Sequence, residues 1–450
     1  MHILLQLRPA QDITAAVIDS PGKQTVQDVV GDLPGIELDF SYAPVAMPKP
    51  LPRATDGDPL SLRQPLTFSL EPMTASVLVR GEIADDDLAS RLAQLVASQH
   101  DIVGVFADPM IETMPLCADD GPLGTWEDVA ESLHVPELRS LGMDGNAVAV
   151  AVVDEGINAE HLASAGAGVS VDHARSWSPS SINHTPGAFD VDHGTMCAFD
   201  VGIAAPSAEL LDVALLLTKR RGRTVMEAYT SDGIAAYAHL RTVLDAMPEE
   251  SRALVVTNSW GCFSPQWDFA PGSPGNYSDN LGHPFSLTVA ALESAGADIL
   301  FAAGNCGREC PDRRCGYLSR SIVGANSHPK VLSVGGVDIT DKWVGYSSQG
   351  PGRLDQRKPD VCAYTHFLGS QRLGPGTADD GTSAACPVAA GVLAALRTRV
   401  PSAQVTPQQM RQMFQRAAYD PTGLGFTDDY GYGIVSVPGL IEMLKTQGSI

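Results

Sequence analysis

Four side chains in this sequence have the types, order and surroundings that acyl transfer requires. Asp154 ends the apolar run Val148-Ala149-Val150-Ala151-Val152-Val153 and is followed by Glu155-Gly156. A carboxylate at the carboxyl end of a buried strand is fixed and partly desolvated, which suits it to orient a histidine. His193-Gly194-Thr195 opens a predicted helix, with Asp190 and Asp192 ahead of it. Ser383 stands in Gly381-Thr382-Ser383-Ala384-Ala385-Cys386-Pro387, where a glycine turn meets a helix of small residues. Small residues let a substrate backbone approach the hydroxyl, and a helix N-terminus supplies free N–H groups where an oxyanion would form. Pro387 is expected in the first turn of that helix. Asn305 follows Phe301-Ala302-Ala303-Gly304, and its amide could donate to developing negative charge. Singly, each has an ordinary structural explanation: a strand-ending aspartate, a capping histidine, a loop asparagine. Jointly, the order Asp154, His193, Asn305, Ser383 supplies orienter, base, oxyanion donor and nucleophile.

The elements that must position them follow a consistent grammar. From about residue 124 apolar strand-like runs (147–153, 209–217, 253–258, 298–303, 331–337) alternate with helical stretches (194–201, 227–246, 287–295, 384–397, 407–417). That alternation predicts an α/β fold with a doubly wound parallel sheet, whose functional groups gather at the carboxyl ends of strands. Residues 1–116 predict a small α+β unit of βαββαβ, ferredoxin-like order, with strands at 3–7, 36–42, 75–79 and 102–106 and helices at 25–33 and 85–97. The Pro-rich stretch 43–66 interrupts it and is expected to lack regular structure. The division is therefore 1–116, a linker 117–123, and a catalytic unit 124–450.

The 450 residues carry 30 Lys and Arg against 53 Asp and Glu, a net charge of −23, which argues against nonspecific binding to nucleic acid or anionic membranes. No apolar run approaches the roughly 20 residues of a membrane helix. Met1 to Arg8 lacks a basic stretch followed by an apolar one, so no secretory signal is read there. A cytoplasmic location is the expectation, with disulfides not the default.

With these motifs in hand, the sequence resembles the subtilisin-like serine peptidases (subtilases, peptidase family S8). The resemblance rests on Val150 to Gly156, His193-Gly194-Thr195, Asn258-Ser259-Trp260-Gly261, Ala302-Ala303-Gly304-Asn305, Gly381-Thr382-Ser383 and a late Gly431-Tyr432-Gly433, spanning roughly 124–445. It implies a serine endopeptidase with Asp154, His193 and Ser383 as triad and Asn305 in the oxyanion hole, needing no cofactor for catalysis. It also implies that a peptide or protein substrate pairs as an added strand with two edges, one at 258–261 and one near 223–226. Ser259, Trp260, Gly261, Ala302, Ala303 and Gly304 would bind substrate, with a pocket floor near 322–324. The N-terminal unit would be a prodomain acting in cis, with residues 109–122 crossing the cleft, or else a permanent accessory domain. Two other functions stay open: a catalytically silent peptide-binding module of this fold, and a serine hydrolase of non-peptide acyl groups.

Three departures from the family pattern carry their own expectations. Glu155 stands where many relatives have Ser or Thr and is expected to point to solvent. Val388 replaces a histidine common in relatives, a change expected to be structural. Cys306, Cys310 and Cys315, with Cys262 near them if the fold is right, could hold a structural zinc or form disulfides; a structural calcium ion is also left open. Cys197 and Cys386 are expected to be small core residues. Lys219 to Arg223, the densest basic run, is expected to be a solvated loop.

Overall fold

The five apolar runs become the centre of one parallel sheet. In the computed structural model, which describes residues 1–30, 33, 35–50, 68–73, 75–84, 102–113, 121–180, 182–217, 227–311 and 314–450, its strand order is Ser170–Val171, Glu209–Ala214, Ala149–Asp154, Leu254–Asn258, Ala297–Ala302, Leu332–Val337, Val361–Tyr364. The strands are buried on both faces, so they read as continuous apolar runs rather than alternations. Val150 and Val152 face one layer, built on the helices His193–Ala204 and Thr382–Arg397. Ala149, Ala151 and Val153 face the other, with Tyr237 and Phe285 from the helices Thr230–Asp245 and Pro284–Ser294. The edge strands 170–171 and 361–364 were not anticipated, being short.

The helix Thr382–Arg397 is buried throughout. Its small residues are the reason it fits: a Cβ on Gly391 would stand 2.4 Å from the Val201 carbonyl of the helix alongside. Its lower end is held by Arg397, whose guanidinium forks onto both oxygens of Asp298 at 2.6 and 2.7 Å.

The N-terminal unit forms an antiparallel sheet ordered Glu37–Leu38, Ser76–Glu82, His2–Leu7, Ile102–Ala107, the ferredoxin-like arrangement. Its first helix is Gln11–Asp19, which the sequence reading missed, whereas the expected helix 25–33 is only Val26–Val29, stopped where Val30 turns extended. The Pro-rich stretch also departs from expectation, because Val45–Met47 lies between Pro44 and Pro48 and pairs with Ser76–Leu78 as an edge strand. Proline is tolerated at such edges, where no partner needs its missing N–H. The expected helix 85–97, most of the Pro-rich stretch and the basic run 219–223 lie outside the described residues.

Candidate active site

The turn that carries Ser383 is held by neutral hydrogen bonds. Asn305 Oδ1 accepts from the Thr382 N–H (2.9 Å) and hydroxyl (3.0 Å), and Gly304 N–H donates to the Thr382 hydroxyl (3.0 Å). Thr365 Oγ1 donates to the Gly381 carbonyl (2.7 Å) and Gly381 N–H to Tyr346 Oη (3.2 Å). With its oxygen committed, the Asn305 amide turns Nδ2 toward the Ser383 N–H. A Cβ on Gly381, which has φ +76°, would lie 2.8 Å from Nδ2 and 3.4 Å from the Ser383 nitrogen. Asn305 Nδ2 and the Ser383 nitrogen thus both border the face of Gly381 that carries no side chain.

Pro387 falls beyond the first turn of its helix, contrary to expectation, and its position has a consequence for the nucleophile. A residue there would normally donate its N–H to the carbonyl of Ser383, and proline has none to give. That carbonyl is taken instead by the hydroxyl of Ser259 at 3.0 Å, while the thiol of Cys197 lies 3.5 Å away.

Asp154 and His193 stand opposite this cage. His193 Nδ1 is 3.0 Å from both Asp154 oxygens, which fixes the ring with Nε2 turned away from the carboxylate. Burial alone would lower the His193 pKa, but the charge and hydrogen bond of Asp154 overcome it and the net shift is upward. Cys197, one helical turn on, has its sulfur 3.7 Å from Asp154 Oδ2 and 3.9 Å from His193 Nδ1 as well as touching Ser383. One sulfur therefore contacts all three residues, a role beyond the core filler expected from sequence. Burial pushes its thiol pKa up, keeping it a neutral contact. Asp154, His193 and Cys197 offer ligand atoms within 4.8 Å of one another, but a metal there would displace the hydrogen bond that orients the base. Ser383 Oγ and His193 Nε2 are both buried and, among the described residues, neither makes a hydrogen bond. The Ser383–His193 hydrogen bond is thus not formed here; such contacts commonly tighten only with substrate bound.

Glu155 corrects the expectation of a solvent-facing carboxylate, for it is only 1% exposed. Burial and the adjacent Asp154 charge push its pKa up to about 8, against the opposing pull of His193 and the Gly194 N–H. Next to it in the chain, the Gly156 carbonyl lies so close to Gly194 that no side chain would fit there.

The cleft has two edges, and a strand of the same chain lies between them. Met110–Thr113 runs antiparallel to Trp260–Gly261 on one side, with Thr113 opposite Trp260 and Glu112 opposite Gly261. On the other side it pairs with Glu227–Tyr229. The second edge was expected at 223–226, which lies outside the described residues. The Trp260 ring does not line this cleft: it packs against Phe285 and Phe301 at centroid distances of 5.8 and 5.2 Å, leaving its main chain at the edge. Asn326 Nδ2 ties the two expected pocket walls by donating to the carbonyls of Trp260 (2.8 Å) and Ala302 (2.9 Å), a positioning role the sequence did not signal. Ala303 is held to the sheet through the Val334 carbonyl, and Ile322 and Val323 are buried nearby in sequence.

The cysteine cluster is not a zinc site. Cys306 and Cys315 form a disulfide, Cys310 is also disulfide-bonded, and only Cys262 of the four is a free thiol. Zinc needs thiolates, and oxidation removes three of them. Cys386 is the expected core residue, its sulfur 3.4 Å from Thr257 Oγ1.

The model of the subtilase family matches residues 145–433. Subtilisin amylosacchariticus of Bacillus subtilis subsp. amylosacchariticus is 27% identical over 305 residues, 68% of this chain and 68% of its own. The subtilisin of Bacillus pumilus is 27% identical over 305 residues, 68% of this chain and 94% of its own. Among solved structures, fervidolysin of Fervidobacterium pennivorans, described as a keratinolytic enzyme related to subtilisin, matches with a TM-score of 0.56 and 16% identity, covering 98% of this chain and 60% of that one, a likeness of fold. The matched stretch contains Asp154, His193, Asn305 and Ser383.

Proposed function

Because this chain belongs to the subtilase family, we propose that its peptide-bond hydrolysis runs through Asp154, His193 and Ser383 with an acyl-enzyme intermediate. It is a serine-type endopeptidase. His193 Nε2 takes the Ser383 Oγ proton as Oγ attacks the scissile carbonyl, while Asp154 holds the ring and stabilises the imidazolium. The tetrahedral oxyanion accepts hydrogen bonds from Asn305 Nδ2 and the Ser383 N–H. His193 then gives its proton to the leaving amine, and water repeats the sequence to free the acid. The observation that carries this reading is the Asp154–His193 hydrogen bond together with the one sulfur that contacts Asp154, His193 and the main chain of Ser383.

The N-terminal unit acts in cis as folding partner and inhibitor, and its removal matures the enzyme. Supporting this, its Asp108 accepts from the Thr230 hydroxyl (2.8 Å), the Ser231 N–H (2.8 Å) and the Ser231 hydroxyl (2.7 Å) at the N-terminus of the helix Thr230–Asp245. Arg80 reaches Asp232 on the same turn at 2.9 Å. The strand Met110–Thr113 then enters the cleft. A fluorophosphonate probe with intact mass and N-terminal sequencing tests both ideas: wild type is labelled and lacks the segment through Thr113, and Ser383→Ala is full length and unlabelled. Equal masses with no labelling of either would leave a silent binding module.

The cytoplasmic location expected from sequence stands against the Cys306–Cys315 disulfide, since such bridges persist in oxidising compartments. Thiol counting on protein isolated from its native compartment decides between them.

A further inference from the structure

The strand between the two edges carries a buried acid paired with an arginine. Glu112, opposite Gly261, is 2% exposed, a situation that charged side chains avoid unless paired. Its Oε2 is 2.6 Å from Arg314 Nη1, and Arg314 Nη2 donates to the main-chain carbonyl of Thr113 at 3.0 Å. One guanidinium therefore contacts a side chain at one position of the strand and the backbone of the next, a use of the planar fork that lysine could not copy. Glu112 also lies directly opposite Glu227, which is itself buried. Two carboxyl groups in register repel, and the arginine offsets that repulsion at Glu112.

Arg314 is held for this purpose. It precedes Cys315, whose disulfide to Cys306 anchors the loop to the residue that follows Asn305. Two residues on, Gly316 N–H donates to the Phe263 carbonyl (2.9 Å), where a Cβ would strike Pro265 at 2.6 Å. The guanidinium lies 5.8 Å from the Phe263 ring. The loop thus starts beside Asn305, is pinned at Phe263 and presents the Arg314 guanidinium to the strand between the two edges.

We propose that Arg314 is a specificity-determining residue that selects an acidic side chain at the substrate position opposite Gly261, Glu112 being its ligand in cis. The proposal deepens the peptidase reading and rests on it. Substrates with Glu or Asp at that position recover both contacts, whereas Gln keeps the shape without the charge and Lys brings repulsion.

Two measurements on the full chain test this. In the Ser383→Ala background, hydrogen exchange of the 110–113 amides should quicken about tenfold or more in Arg314→Glu and return toward the parent rate in the charge swap Glu112→Arg/Arg314→Glu. The swap controls for misfolding. With wild type, peptides varied one position at a time should show kcat/KM for Glu above Gln at one position by roughly 10- to 100-fold, lost in Arg314→Glu, which should prefer Lys there. Unchanged exchange in Arg314→Glu, no restoration by the swap, or an acidic preference that survives Arg314→Glu would overturn the role of Arg314 alone. Hydrolysis of no peptide by wild type would instead overturn the peptidase reading and the substrate claim with it.

Discussion

The two sides of the site are built from different materials. Around Asn305 and Ser383 the contacts are neutral hydrogen bonds among Thr382, Thr365, Tyr346, Ser259 and main chain. Around His193 there are two buried carboxyl groups in succession, Asp154 and Glu155, and an imidazole, all under 10% exposed. In the proposed mechanism the neutral side stabilises charge that appears only during reaction, so its worth lies in fixed geometry. The charged side must move a proton, so its worth lies in pKa values, and it inherits a dependence on pH that its counterpart lacks.

The comparison can be broken by substitution. The largest effect belongs to the charged side: Asp154→Ala should lower kcat about 10⁴-fold, the magnitude found for this position in a subtilisin. Loss of the Asp154 contribution should also move the acid limb of the pH–rate profile downward, since Asp154 is what holds the His193 pKa up. On the neutral side, Asn305→Ala should cost about 10²- to 10³-fold in kcat, again as in a subtilisin, and leave that limb where it is. A shifted limb in Asn305→Ala would show that the two sides are not separate.

The smallest effect concerns Glu155, and it appears in stability. Its pKa is raised to about 8 from an ordinary 4.5, so the folded state favours the neutral acid. The stability that follows is fully present below about pH 4.5 and is lost as pH rises toward and through 8. Glu155→Gln stays neutral throughout, so its Tm should match wild type near pH 4.5 and exceed it by a few °C at pH 9. A gap that narrows with rising pH would contradict the buried-acid account.

Much of this was legible because strands and helices of a parallel sheet announce themselves. Val148 to Val153 read as a strand of a parallel sheet, and the small residues after Ser383 as a helix. Less legible were features that depend on neighbours distant in sequence. Glu155 read as a surface group, since nothing local shows that the fold closes over it and leaves it 1% exposed. Cys197 read as filler, and only the fold brings its sulfur to Asp154, His193 and Ser383 together. The cysteine spacing fitted zinc as well as disulfides, because spacing cannot say which sulfurs meet.

By itself, then, the order of residues determined the family, the parallel sheet and where in the chain the proposed reacting groups stand, since motif and periodicity are local properties. Tertiary structure alone decided the fate of the Ser383 carbonyl, the burial of Glu155, and the seating of Met110–Thr113 between two edges with Glu112 on Arg314. Those depend on desolvation and on contacts between residues up to about two hundred positions apart, which no local pattern encodes.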